Sequence, residues 1–312
     1  MPGICKLNSL LEKSTNMKFR PSRKAVTAFI GAAAVASMLV IADRVGFTKA
    51  APRIDQQLAV PAYANPLVDP GSWQRLAASD SGSVGFAVIN VFNGADYAPS
   101  PEAATAIQNA SASGLKLVGY VDTGYLGTTG RSTRLGSTDA ADWVAQIQLD
   151  IAAWYQLYGS SLAGIFFDQT QNACGPTPGS NDWADRYRQL SDEVKRLHPG
   201  ALTVVNPGIG VAQCYEKAAD VIVTFEGSYE SYVDDPGATN PYAAPNWVPA
   251  DPKKIWHIVY GASDVAKMNH VVELSRTRGA GNIYVTDDIL PNPYDTLPPP
   301  DYWIAEEAST SG

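Results

Sequence analysis

The sequence predicts a single closed (β/α)8 TIM barrel of the α/β class, preceded by a separate N-terminal segment. From residue 58 onward, eight short apolar runs alternate with longer helical stretches. Most of these runs are continuously apolar rather than alternating, the pattern of strands in a parallel sheet covered by helices. Eight such units in about 250 residues match the size of this barrel.

The runs are LAVPAYA (58–64), GFAVINV (85–91), KLVGYVD (116–122), GIFFDQT (164–170), LTVVNPG (202–208), VIVTFEG (221–227), IWHIVYG (255–261) and NIYVTDD (282–288). Strands separated by helices take right-handed crossovers and lie parallel. An open, doubly wound sheet is the alternative. It would carry a Gly-rich phosphate loop after its first strand, and Pro66-Leu67-Val68-Asp69-Pro70-Gly71 is not one.

The helices have readable ends. Residues 139–158 place Trp143, Ile147, Ile151, Trp154 and Tyr158 three or four positions apart, on one apolar face. Residues 181–197 open on a capping-type Asn181 and stop at His198-Pro199-Gly200. Residues 263–277 lie between Ser263-Asp264 and Arg278-Gly279, and residues 101–112 begin with Pro101 and run into Gly114. Shorter helices are expected at 71–79, 211–218 and 300–307, with Pro-rich residues 290–301 as a closing loop.

The N-terminal segment is of another kind. Residues 25–42 are uncharged and apolar or small, and Arg20, Arg23 and Lys24 precede them, which is how an export signal is built. Residues 1–50 therefore read as a signal peptide or signal anchor with a basic flank, and residues 51–312 as the barrel domain. The expected location is extracellular, or the cell surface if the apolar run is retained as an anchor, which is then the only membrane contact.

The barrel domain is acidic. Residues 1–50 hold eight Lys or Arg against Glu12 and Asp43, so the whole-chain charge of −8 leaves about −14 for the remainder. That balance disfavours nucleic acid as a partner, since phosphate binding needs Lys and Arg. The composition, 45% hydrophobic and 17% charged, is that of a globular protein rather than a disordered one. A monomer is expected.

Of three cysteines, Cys5 falls in the leader. Cys174 and Cys214 lie in loops on one face of the predicted barrel and are expected to pair in an oxidising compartment. Neither has a Cys or His at ligand spacing, so no metal site and no cofactor is expected.

In such a barrel the chemistry sits at the carboxyl ends of the strands. Polar residues ending apolar strands are Tyr63, Asn90, Asp122, Asp168, Asn206, Glu226, Tyr260 and Asp287 with Asp288. Asp168 follows the wholly apolar Gly164-Ile165-Phe166-Phe167. Glu226 follows Phe225 and precedes Gly227, which should leave room for a ligand. A carboxylate on an apolar stem is costly unless used or paired. Both side chains project inward if barrel alternation holds. Two carboxylates across a bond are what glycoside hydrolysis requires, one protonated to release the leaving oxygen and one ionised. Asn206 between them suits a sugar hydroxyl, an acetamido group or carboxylate orientation. Aromatic residues near strand ends, Tyr63, Phe92, Tyr120, Tyr125, Tyr229, Tyr232, Trp256 and Tyr260, suit the apolar faces of sugar rings.

Five stretches carry a resemblance. VPAYANP with Trp73, Gly119–Gly127, GIFFDQ at 164–169, VVNPG at 204–208 and TFEGS at 224–228 resemble the spherulin-4-like family, across residues 58 to 304. The resemblance implies an extracellular (β/α)8 hydrolase of glycoside hydrolase family 135, endo-acting on α-1,4-linked N-acetylgalactosamine in galactosaminogalactan-type exopolysaccharide. It further implies that Asp168 and Glu226 are the catalytic pair and that Asn206 contacts substrate. Tyr63, Asn90, Asp122, Tyr125, Tyr260 and Asp287 complete the expected substrate surface. Leu126, between Tyr125 and Gly127, departs from the family pattern.

Two other functions compete with this one. A non-catalytic carbohydrate-binding or cell-envelope barrel would bind oligosaccharide without releasing reducing ends. A metal-dependent hydrolase would draw on Asp122, His257 or Asp287-Asp288, and its activity would follow a divalent ion.

Overall fold

Eight parallel strands close into a barrel in sequence order in the computed structural model, which describes residues 54–79, 82–90, 93–95, 98, 100–234 and 245–310. Residues 1–50, expected to be a signal peptide or anchor, and Phe92 lie outside the described residues. The strands are β1 (Gln57–Ala62), β2 (Val84–Ile89), β3 (Leu117–Asp122), β4 (Gly164–Asp168), β5 (Leu202–Val205), β6 (Val221–Ser228), β7 (Ile255–Tyr260) and β8 (Asn282–Val285). Closure is made where Gln57 and Leu58 pair with Asn282 and Ile283.

Helices α1 (Pro70–Ala78), α2 (Pro101–Ala112), α3 (Ala140–Tyr158), α4 (Asp182–Leu197), α5 (Tyr229–Val233), α6 (Val265–Thr277) and α7 (Pro300–Thr310) cover the outside. Side-chain caps set several starts. Asp139 accepts from Ala141 N–H, Ser100 from Ala103 N–H and Asp264 from Lys267 N–H. The five residues predicted as the apolar face of α3 are the ones it buries. The expected helix at 211–218 is instead a 3-10 turn, Gln213–Lys217, and α5 has too little periodic sequence to be foreseen.

Barrel packing decides which side chains reach the mouth. Phe86, Phe166 and Trp256, from β2, β4 and β7, meet edge to face inside the barrel. Phe166 pairs in register with Tyr120 and Val204, and Val204 with Val221, so these residues share the interior face. Asp168, two residues beyond Phe166, therefore points inward. Val223 pairs with Trp256, so strict alternation would turn Glu226 outward.

A register shift between Val223 and Phe225 reverses this. Phe225 packs outward on Tyr232 and His257, while Glu226 comes beside the inward Ile258. A bulge of this kind re-aims a side chain at the cost of one irregular pairing. Behind β3, Trp154 donates to Tyr120 O at 2.7 Å, and Gly119 is required there, since a Cβ would lie 2.5 Å from the indole.

Cys174 and Cys214 form a disulfide between the β4–α4 and β5–β6 connections, with Cα atoms 5.9 Å apart. Closing a loop of 40 residues restricts the unfolded chain by about 3–4 kcal/mol in the chain-entropy account. The Cys174→Ser/Cys214→Ser protein is expected to melt about 10 °C lower in a calorimetric scan. An unchanged melting temperature would show that the bond adds nothing to this fold.

Candidate active site

Three successive strands bring Asp168, Asn206 and Glu226 together at the barrel mouth. Asp168 closes β4. Asn206 follows β5, where its N–H donates to Phe167 O at 2.9 Å and its carbonyl accepts from Thr170 N–H at 3.1 Å. Glu226 N–H donates to Gly208 O at 3.1 Å. Their side chains are thus carried on backbone tied to neighbouring strands and loops.

One nitrogen links the three. Asn206 Nδ2 donates to Asp168 Oδ1 at 2.8 Å and to Glu226 Oε2 at 2.7 Å. Each remaining carboxylate oxygen accepts from a tyrosine: Tyr120 to Asp168 Oδ2 at 2.6 Å, and Tyr294 to Glu226 Oε1 at 2.9 Å. Tyr63 stands edge-on to both tyrosines. Together with Asn90, Asn93 and Asn292 these residues line a cavity of about 230 Å³.

Charge in this cavity is expensive. Burial first, and then the nearby charge of Glu226, push the Asp168 carboxyl up to about 7, against the pull of bonds from Tyr120, Gln169 N–H and Asn206. Burial and the neighbouring carboxylates push Tyr63, Tyr120 and Tyr294 upward as well, so they stay neutral hydroxyls able to donate. A proton held by Asp168 has a defined position. The amide Nδ2 on Oδ1 cannot accept, so the proton sits on Oδ2, facing the Tyr120 oxygen, which can accept it.

The model of the Spherulin4 family, spherulation-specific family 4, matches residues 57–306. The chain belongs to this family. Its barrel is similar to Sph3 of Aspergillus clavatus, whose crystal structure is a complex with GalNAc: TM-score 0.60, 22% identity, covering 83% of this chain and 98% of that one. A GH18 chitinase from Pseudoalteromonas aurantia matches at TM-score 0.43 and 14% identity, over 73% of this chain and 93% of its own. The C-terminal domain of Legionella pneumophila ChiA matches at 0.43 and 11%, over 82% and 96%. No curated protein matches the chain.

In this spherulation-specific family 4 barrel, the predicted residues divide into two groups. Asp168, Glu226, Asn206, Tyr63 and Asn90 line the cavity, whereas Asp122, Tyr125, Tyr260 and Asp287 do not. Asp122 turns to Arg131, at 2.6 Å, and to Gly124 N–H. Tyr125 lies at the rim in the left-handed region, φ 54°, near enough for the charges of Asp168 and Arg131 to act on its hydroxyl. Tyr260 ends β7 and Asp287 lies two residues beyond β8, both outside the cavity lining. Asn206 spends both amide hydrogens on the carboxylates, leaving Oδ1, buried and without a partner among the described residues, for a ligand.

Several aromatic expectations are corrected. Trp256 is barrel core, and Tyr232 is buried behind β7, hydrogen-bonded to His257 Nδ1 at 2.7 Å. Tyr229 sits beside His270 and Lys267. His257, offered as a metal ligand, is fully buried between Tyr232 and Thr224, so it does not face the mouth. Among the described residues no group of three His, Cys, Asp or Glu is gathered. Gly227 makes room for the protein rather than a ligand, since a Cβ there would lie 2.8 Å from the Phe225 ring.

Sequence reasoning missed Tyr294, Asn292 and Asn93, and it read Tyr120 only as a sugar platform. Tyr294 arrives on the Pro-rich segment, which is strapped across the start of the barrel. Tyr63 N–H donates to Tyr294 O at 3.1 Å, Thr296 hydroxyl to Asp69 at 2.8 Å and Leu297 N–H to Ser72 Oγ at 3.1 Å. No periodicity announces such a loop. The only signal is that a segment following β8 must return past β1.

Proposed function

We propose that this protein hydrolyses a glycosidic bond in an amino-sugar exopolysaccharide of the α-1,4-galactosaminide type, with Asp168 and Glu226 as the working carboxylates and with retention at the anomeric carbon. One observation carries the mechanism. Bonds of 2.8 and 2.7 Å to a single nitrogen hold one oxygen of each carboxylate no more than about 5.5 Å from the other, the short spacing of retaining enzymes. Inverting enzymes leave room for a water, at roughly 6.5–9.5 Å.

The chemistry follows from the proton accounting. One proton is held at mildly acidic pH, because burial and the charge of Glu226 push the Asp168 carboxyl up to about 7. The ionised carboxylate attacks the anomeric carbon while the protonated one gives its proton to the leaving oxygen. The resulting glycosyl ester removes the charge that kept the second proton affinity high, so the former acid becomes a base and activates water. The tyrosines and Asn206 hold both carboxylates through this exchange without titrating themselves.

Family membership supports the choice of reaction, and the GalNAc bound to Sph3 supports the choice of sugar. The basic, apolar leader and the Cys174–Cys214 disulfide support an extracellular place of work. No helix among the described residues is long and apolar enough to cross a membrane. Incubation with a panel of amino-sugar polymers is expected to release oligomers, identified by mass, from galactosaminide chains. Binding without any reducing-end release after prolonged incubation would identify a carbohydrate-binding barrel instead.

Tyr294→Phe removes one neutral donor from Glu226 and little packing. It is expected to lower kcat about tenfold with KM nearly unchanged, the signature of a bond that matters most when charge shifts on the carboxylate. A rise in KM alone would place Tyr294 in ground-state binding.

A further inference from the structure

Four consecutive residues after β3 stand in the left-handed region: Gly124 (φ 52°), Tyr125 (φ 54°), Leu126 (φ 53°) and Gly127 (φ 78°). L-residues visit this region singly, because the Cβ there crowds the following carbonyl, so a whole left-handed turn has to be held by its surroundings. Glycine is required at both ends. A Cβ would lie 2.2 Å from the Trp143 ring at Gly124 and 2.0 Å from Thr138 O at Gly127. Leu126 gains burial from the turn, at 2% exposure. Tyr125 gains less: it is half-buried, and its hydroxyl makes no hydrogen bond among the described residues.

The backbone of Tyr125 is nevertheless gripped from both sides. Its N–H donates to Gln169 O at 2.8 Å, and Gln169, itself at φ 53°, directly follows Asp168. Its carbonyl accepts from Thr128 N–H at 3.2 Å, from Thr128 Oγ1 at 2.9 Å and from Gln171 Nε2 at 2.5 Å. Gln171 is 8% exposed and fixed in turn. Its N–H donates to the Tyr187 hydroxyl at 3.1 Å, its carbonyl accepts from the Tyr215 hydroxyl, and its amide also reaches Thr128 Oγ1. Cys174, three residues on, is bonded to Cys214 beside Tyr215. The turn is thus tied to the same backbone that carries Asp168.

The phenol so placed lies beside the mouth without lining the cavity. Burial pushes its hydroxyl upward, and after burial the charges of Asp168, Arg131, Glu226 and Asp122 act on it, so it stands within reach of the catalytic pair. A ring in that position meets the sugar next to the one held at the carboxylates, through its face and its hydroxyl. We propose that Gln171 is a positioning residue for substrate: its amide clamps the Tyr125 carbonyl, so that the left-handed turn presents the Tyr125 phenol to the sugar unit adjoining the catalytic cavity. That the ligand is a polysaccharide rests on the glycosidase reading; the clamp and its effect on binding do not require turnover.

Calorimetric titration of the Glu226→Gln protein with α-1,4-linked N-acetylgalactosamine oligomers, dimer to hexamer, tests this. Tyr125→Ala in that background is expected to weaken hexamer binding about tenfold, the size of one lost aromatic contact. Gln171→Met, which keeps the buried volume and removes the donor, is expected to weaken it about fivefold. The two together should bind no more weakly than Tyr125→Ala alone, because one acts through the other. In the otherwise wild-type protein, Gln171→Met should raise KM by the same factor with kcat nearly unchanged. Thr128→Val, at an exposed position, loosens the same clamp should Gln171→Met fail to fold. Losses that multiply in the double variant, unchanged binding in Tyr125→Ala or in both Gln171→Met and Thr128→Val, a fall in kcat without a rise in KM, or no oligomer bound would overturn the proposal. The expected pattern of binding, in a protein whose wild type cleaves none of the oligomers, would defeat the hydrolytic reading alone.

Discussion

Asp168→Asn is expected to lower polysaccharide cleavage by about 10⁴-fold or more, and Glu226→Gln by a similar factor. Both substitutions keep side-chain volume and lose only the ability to ionise. In either variant the remaining carboxylate has no partner for the second half of the exchange. The two should differ in rescue. On a substrate with a good leaving group, or in added azide, the variant at the acid position regains turnover and the variant at the nucleophile does not. Activity of either variant within tenfold of wild type would remove that residue from the mechanism.

Asp168→Asn also has a stability signature with a definite sign. Burial and the charge of Glu226 raise its carboxyl from the ordinary 3.8 to about 7 in the folded protein, so the native state binds this proton more tightly than the unfolded chain does. That contribution is fully present below about pH 4 and is lost as pH rises through about 7. Wild type should therefore lose stability across that window relative to Asp168→Asn, and the variant should melt higher at pH 8. Parallel melting curves across the window would contradict the burial argument.

Asn206→Ala is the second large effect. The substitution deletes both N–H donors between the carboxylates, leaving the two acids side by side with no shared group fixing their separation. Loss of a preorganised donor of this kind costs about 10²–10³ in kcat. Because the amide bond pulls the Asp168 carboxyl downward, its removal should move the corresponding limb of the pH–rate profile to higher pH. A loss of rate with the profile unmoved would mean that Asn206 serves the substrate through Oδ1 rather than the carboxylates.

Much of this was legible in the amino acids. The eight apolar runs coincide with the eight strands because buried parallel strands leave no choice but continuous hydrophobicity, and α3 announced its face through Trp143, Ile147, Ile151, Trp154 and Tyr158. Asp168 was readable because a carboxyl on a four-residue apolar stem needs a reason. Glu226 was found for the same reason, although the alternation invoked to aim it fails. The register shift between Val223 and Phe225 turns it inward, and no residue type marks that shift.

The second layer was hidden for a different reason. Tyr120 looks in sequence like a ring for stacking, and only the folded structure shows its hydroxyl on Asp168. Tyr294 reaches Glu226 across 68 positions of sequence, on a loop whose prolines predict no course. Strand-end polarity overshot at Asp122, Tyr260 and Asp287, because being last on a strand does not decide whether a side chain bends to the axis or to its own loop.

The spacing of the carboxylates predicts one stereochemical outcome. Proton NMR of the first product released from an α-linked galactosaminide oligomer, recorded before mutarotation, should show the α-anomer. A β-anomer at the earliest times would mean that a water, not a side chain, attacks the sugar, and that Asp168 and Glu226 do not work at the separation Asn206 gives them.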